Sequence, residues 1–166
     1  MRYPEISKEL IEMRAADQEL RTQWRERHND PQWVELVKET DRANTACLKE
    51  ITEEYGWLTI SMVGKQGSEA AWLLVQHADH DLEFQLRCLA LMKASDDVDP
   101  LNVAYLTDRT LVAQGKPQIY GTQFYRPKGE SKHIPQPIKD SDKVDDRRAE
   151  LGMSSLKEYA AAINRE

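Results

Sequence analysis

The sequence predicts a mainly α-helical domain organised round a central buried helix, with one small β-hairpin as its minor α+β component. Three observations predict it. Apolar residues recur at helical spacing over residues 5–28 and again over 32–54. The segment 69–94 is apolar over most of the helical circumference, as a helix enclosed by others must be. Proline, glycine and serine stand between these stretches, where helices stop and restart.

The first helix, 5–28, aligns Ile6, Leu10, Met13, Leu20 and Trp24, and Asp17 falls where that stripe should be apolar. The connection His28-Asn29-Asp30-Pro31 is short enough to predict an antiparallel pair with the second helix, 32–54. That helix aligns Val34, Val37, Leu48 and Ile51, interrupted by Asp41 and Asn44. Tyr55-Gly56 closes it, and a loop over 57–67 follows whose glycines and small residues suit the lining of a cleft. Ser68 is placed to cap the central helix, 69–94.

Asp99-Pro100 opens a fourth helix to about residue 109, with proline at its first position. From Leu111 to Phe124, β-branched and aromatic residues surround Gly115-Lys116-Pro117, which reads as the hairpin. Residues 126–140 contain Pro127, Pro135 and Pro137 and read as a Pro-rich surface arm. The remainder, 141–166, reads as a C-terminal helical pair, the first helix ended by Gly152 and the second capped by Ser154 or Ser155.

At 166 residues the chain reads as a single domain, 1–166, long enough to bury about two-thirds of its unfolded surface. Charged residues make up 31% and hydrophobic ones 40%, and the net charge is −6. That balance argues against non-specific nucleic-acid binding. No apolar run approaches the ~20 residues of a membrane span, and the opening MRYPEISKEL lacks a signal-peptide core. Cys47 and Cys88 sit in apolar, helix-like surroundings and read as reduced core thiols of a cytoplasmic protein. There is no CxxC, Gly-rich phosphate loop, GxSxG or HExxH.

The run Gln76-His77-Ala78-Asp79-His80-Asp81 places two imidazoles and two carboxylates in the most apolar stretch of the chain. Ionisable groups are expensive to desolvate, so such a run calls for a reason. At about 100° per residue, Glu69, Gln76, His80, Glu83 and Arg87 share a solvated arc, whereas His77 joins Leu74, Phe84, Cys88 and Leu91. Asp81 follows one turn after His77 and is positioned to hydrogen-bond it, fixing the tautomer. Asp79 lies on the border of the apolar arc. The anomaly repeats elsewhere: Asp17, Asp41 with Asn44, and Asp108 each interrupt an apolar line. Buried polar groups need partners, and a structural ion-pair network through Arg21 and Arg109 is the plainest alternative to a site. A second cluster, Gln118-Ile119-Tyr120-Gly121-Thr122-Gln123, carries amides and a phenol suited to holding a polar molecule.

These residues resemble an uncharacterised bacterial family, a domain of unknown function. Its pattern is an early Asp-Gln-x-x-Arg, a Gly-Trp, then Gln-His-Ala-Asp, Asp-Arg and Gly-x-x-Gln-x-Tyr-Gly-Thr-Gln. Here these are Asp17-Gln18 with Arg21, Gly56-Trp57, Gln76 to Asp79, Asp108-Arg109, and Gly115 with Gln118 to Gln123. The tail from Arg147-Arg148 to Leu151-Gly152 looks similar too. The resemblance implies that these positions belong together and favours Asp79 where periodicity favours Asp81; it implies no reaction. A fainter echo of the HD-type phosphohydrolases rests on His80-Asp81, but His80 falls on the solvated arc.

The expectation is an enzyme acting on a small polar molecule, with His77 as general acid or base and Asp79 or Asp81 orienting it. Arg21 or Arg109 would hold an anionic group. Asp17, Asp41, Gln76, Asp108, Gln118, Tyr120 and Gln123 would complete the binding surface. No cofactor or metal is expected. The alternatives are a metal-dependent hydrolase with Asp17, Asp41, Asp81 and His77 as ligands, and a non-catalytic module binding a protein partner through its C-terminal region.

Overall fold

The computed structural model describes residues 1–27 and 30–165; His28 and Asn29 of the predicted helix connection lie outside the described residues. The chain divides into two compact units, Met1–Asp99 and Pro100–Glu166. Among the described residues it has seven α-helices and one two-stranded sheet, the mainly helical class that the periodicities predict.

The first unit contains α1 (Pro4–Glu26), α2 (Pro31–Tyr55), α3 (Ile60–Gln76) and α4 (Leu82–Lys93). Proline opens both α1 and α2, where its missing N–H is not needed, and the Asp30 side chain accepts from Gln32 N at 2.9 Å. α3 is the central helix and packs against α1, α2 and α4. Val63, Ala70, Ala71, Leu74 and Val75 of α3 are buried with Leu10, Val37, Leu48, Leu58, Phe84, Cys88 and Met92. Thr45 and Thr52 sit on the buried face of α2 because each hydroxyl donates to the carbonyl four residues earlier, at 2.7 Å.

Two expectations for this unit are corrected. The predicted loop 57–67 is confined to residues 57–59, since α3 begins at Ile60 and merely kinks at Gly64, whose φ of 74° is left-handed. Its N-terminal cap is remote in sequence: Ser61 N donates to Asp97 Oδ2 at 2.9 Å and Ile60 N to the Asp97 carbonyl at 3.1 Å. Met62 O, beside the kink, takes the N–H groups of Arg2 and Tyr3, both at 2.8 Å. Ser68 is therefore an interior residue of α3, not a cap.

The predicted helix 69–94 is likewise two helices, broken over residues 77–81. Neither proline nor glycine breaks it; side chains do. Asp81 accepts from Phe84 N at 3.0 Å and so starts α4. Gln85, fully buried, donates to the terminal carbonyls of α3, Val75 O at 3.0 Å and Gln76 O at 3.3 Å. Together they satisfy backbone groups that a continuous helix would have paired.

The second unit contains α5 (Pro100–Ala113), β1 (Phe124–Tyr125), β2 (Ile134–Pro135), a 3-10 turn (Ser141–Lys143), α6 (Val144–Glu150) and α7 (Leu156–Ile163). The strands are antiparallel, Phe124 opposite Pro135 and Tyr125 opposite Ile134. The hairpin thus lies later than the predicted 111–124. Leu111 to Ala113 finish α5, and 118–123 is a loop. The Pro-rich segment supplies β2 and is stitched back by Gln136 N to Gln123 O at 2.9 Å and a bridge between Gln118 and Ile138. Ser155 caps α7 in a reciprocal box with Glu158.

Candidate functional site

The break between α3 and α4 places His77 at the C-terminal cap of α3 rather than inside a helix. Its imidazole reaches α1, where Nδ1 lies 2.9 Å from Asp17 Oδ2. That is an ion-pair distance, although the ring N–H is not aligned on the oxygen as a hydrogen bond requires. Catalytic hydrogen bonds are often loosely aligned before substrate binds and tighten afterwards.

Asp17 is buried and heavily engaged. Gln18 Nε2 donates to Oδ2 at 2.8 Å and Arg21 Nε to Oδ1 at 3.0 Å. The motif Asp-Gln-x-x-Arg is therefore one turn of α1 whose amide and guanidinium both hold the same carboxylate. Arg21 continues through Nη2 to Asp41 Oδ1 on α2, bridging the two acids. Asn44 Nδ2, one turn further along α2, is buried without a hydrogen-bond partner among the described residues.

The two carboxyls are driven apart. Burial pushes Asp17 up, but His77, Arg21 and Gln18 outweigh it and hold the group below the ordinary carboxylate value. At Asp41 burial prevails over Arg21 and His77, with the Asp17 charge adding to it, and the carboxyl is raised. Oppositely shifted neighbouring acids are a recurrent arrangement of acid–base sites.

Lys38, Asp41, Arg42, His77, Asp79 and His80 line a cleft of about 420 Å³. Asp79 is exposed and accepts from Gln85 Nε2 at 3.4 Å, so the residue that closes α3 also steadies the rim of this cleft. His80 is exposed, as its place on the solvated arc predicts, although the reason is a turn rather than a helix face. Gln76 is buried.

The expected side-to-side bond between His77 and Asp81 does not form. Asp81 is the cap of α4 and pairs with Lys49 Nζ at 2.5 Å; that ion pair and the Phe84 N–H hold its carboxyl low. Asp17 is the carboxylate beside His77, from a helix sixty residues earlier in the chain, and spacing within the motif cannot reveal it. Arg42, Lys38 and Gln85 also belong to the surroundings of His77. Lys38 and Arg42 are not distinguishable in the sequence, because charged residues on α2 read as an ordinary solvated face.

The remaining predicted residues gather in the second unit, round Asp108. It is fully buried, and its carboxylate accepts from Ile119 N at 2.7 Å, Tyr120 N at 3.0 Å, Thr122 N at 3.0 Å and Thr122 Oγ1 at 3.0 Å. The loop closes round this anion as a nest of donors. Gln118 is fully buried and used up: Nε2 donates to Gln123 O and Gln136 O, both at 2.9 Å, while Oε1 accepts from Gln123 N at 2.8 Å. Arg147 Nε binds Ile119 O at 2.9 Å, and the buried Arg148 binds Tyr120 O at 2.7 Å and Ser154 O at 2.6 Å. Arg109 Nη1 reaches Gln123 Oε1 at 3.3 Å. Asp108 and Gln118, expected to hold substrate, instead have their polar atoms committed to shaping this loop, as have the backbone groups of Tyr120.

Cys88 is a free buried thiol whose pKa burial pushes up to about 12, and Cys47 is free, partly buried and also raised by burial. Neither has the character of an activated nucleophile.

A protein-family profile matches residues 4–165. The chain belongs to the family of unknown function DUF6624. No curated protein and no solved structure matches it. Membership in DUF6624 extends over both units, so the Asp17–His77 cluster and the Asp108 loop are parts of one family sequence. No helix among the described residues is long and apolar enough to cross a membrane.

Proposed function

We propose that this chain is a small-molecule enzyme in which Asp17 and His77 form an acid–base pair beside the cleft, working without a metal. The observation that carries the reading is the buried Asp17 carboxylate 2.9 Å from His77 Nδ1, with His77 on the cleft wall. Asp17 occupies the Nδ1 edge, which leaves Nε2 to exchange a proton with a bound molecule. A carboxyl held low stays ionised, so it orients the ring and stabilises the imidazolium that forms during proton transfer. Arg21 neutralises part of the acidic charge behind the ring. Asp79 adds a carboxylate at the rim. Such a pair suits hydrolysis, elimination or proton transfer on a small polar molecule. The free thiols fit a reducing, cytoplasmic setting.

The test is His77→Gln in purified protein, assayed on panels of esters, amides and phosphoesters. Turnover by the parent protein should fall by about 10²-fold or more. Unchanged turnover sinks the reading. A folded His77→Ala protein that keeps full activity in cells points instead to a non-catalytic binding module.

A second reading, metal-dependent hydrolysis, draws on donor atoms of Asp17, Asp41 and His77 lying within 4.8 Å of one another. Against it, Arg21 already bridges both carboxylates and supplies the charge a cation would bring. Elemental analysis of purified protein decides: stoichiometric Mn, Fe or Zn lost on Asp41→Asn would replace the acid–base reading.

A further inference from the structure

We infer that the cleft beside His77 receives a small oxyanion, a carboxylate or phosphate group, on the guanidinium of Arg42. The choice of this cleft rests on the reading of His77 as its acid–base residue; the choice of anion rests on which charges are already taken.

Of the six lining residues, the two acids are turned to partners within the fold. Asp41 is bridged by Arg21, and Asp79 accepts from the buried Gln85 amide. Lys38 is tied to Glu35 at 2.7 Å. Arg42 is exposed on α2 and makes no hydrogen bond or ion pair among the described residues. The acid that feels it is Glu35, whose carboxylate Lys38 already holds. What the cleft offers an anion is therefore a guanidinium fork and two imidazoles, His77 and His80, with the Asp79 carboxylate at the rim held by Gln85.

A planar fork of N–H donors matches a carboxylate or phosphate edge, on which it can donate twice. An ammonium ligand would meet Arg42 and Lys38 while finding both carboxylates engaged. At about 420 Å³ the cleft lies at the small end of ligand sites, which fits a metabolite-sized anion better than a polymer. The net charge of −6 does not oppose this, because the field at the mouth is set by the nearest charges once salt screens the rest.

The experiment follows the His77 and His80 imidazole NMR signals while inorganic phosphate, and separately acetate, is added to the full-length protein. Saturable shifts are expected with at least one of them. Arg42→Gln should weaken the binding about tenfold, while Lys8→Gln, which removes an exposed charge on α1, should leave it unchanged. Saturation by phosphate alone identifies a phosphate-bearing ligand; saturation by acetate identifies a carboxylate. Shifts reproduced by sodium chloride at matched ionic strength, or Arg42→Gln binding as tightly as the parent, overturn the proposal. His77→Gln separates the two readings. If it binds phosphate and loses turnover, both stand; if it binds phosphate with turnover intact, the acid–base reading falls and the anion site remains.

Discussion

Asp17 and Asp41 face the same Arg21 guanidinium, yet their carboxyls move in opposite directions, because Asp17 also has His77 and Gln18 while Asp41 has burial with fewer partners. Their replacements should therefore differ. Asp17→Asn leaves Arg21 and His77 without their buried counter-charge and should cost about 3 kcal/mol of stability. Asp41→Asn loses one ion pair but removes a carboxylate whose ionised form is disfavoured, and should change stability by less than about 1 kcal/mol. Urea denaturation at neutral pH measures both. Asp108 gives a third case. Its two oxygens face only donors, so Asp108→Asn points an amide N–H₂ at backbone N–H groups. A loss of about 2–3 kcal/mol follows, read by the same denaturation.

At the scale of elements, both corrected boundaries arise from side chains standing in for backbone. Asp81 and Gln85 end one helix and start another inside an apolar run, and Asp97 caps α3 from thirty-six residues away. The loop 118–123 has the composition of a strand, but the N–H groups of Ile119, Tyr120 and Thr122 are taken by Asp108 rather than by a neighbouring strand. Gly121 makes that path feasible: its φ is 70°, and a Cβ there would lie 2.8 Å from Leu156 Cδ1 and 3.0 Å from Ile138 Cδ1. Gly121→Ala combines backbone strain with overpacking and should destabilise by about 2–4 kcal/mol. A lowered thermal midpoint, with loss of the Asp108-bonded amides from slow hydrogen exchange, would report it. Retention of that protection would refute the account of the loop.

For the molecule as a whole, the shifted carboxyls predict the shape of the stability curve in acid. Asp17 titrates in the fold below its ordinary 3.8, so its contribution is complete above that pH and is lost as pH falls through the folded value. Asp81 and Asp97, also lowered, act in the same direction. Asp41 is raised, so its cost at neutral pH is relieved as pH drops through its folded value towards 3.8. The curve should therefore rise slightly or stay level on mild acidification and fall below about pH 4. Asp17→Asn should flatten the fall and Asp41→Asn should abolish the rise, as urea midpoints across pH would record.

Helical periodicity by itself determined the mainly α class, the reach of α1 and α2, and the inward turn of Asp17 and Asp41, because repeats of 3.6 residues are local and a polar residue on an apolar stripe is visible wherever it falls. The same reasoning could not end the central helix at Gln76, since no local breaker stands there. It could not choose the carboxylate for His77 either. Periodicity favours Asp81 and the family resemblance Asp79, both neighbours of His77 in sequence, whereas the structure sets Asp17 against the ring from another helix. Nor could it distinguish Gln118 and Asp108 as supports of a loop from ligands of a substrate, because an amide or carboxylate spent on backbone groups has the same letter as one left for a ligand. Tertiary structure decided these matters. Capping, charge pairing and donor satisfaction act between atoms brought together across the fold, and only the packed chain states which atoms those are.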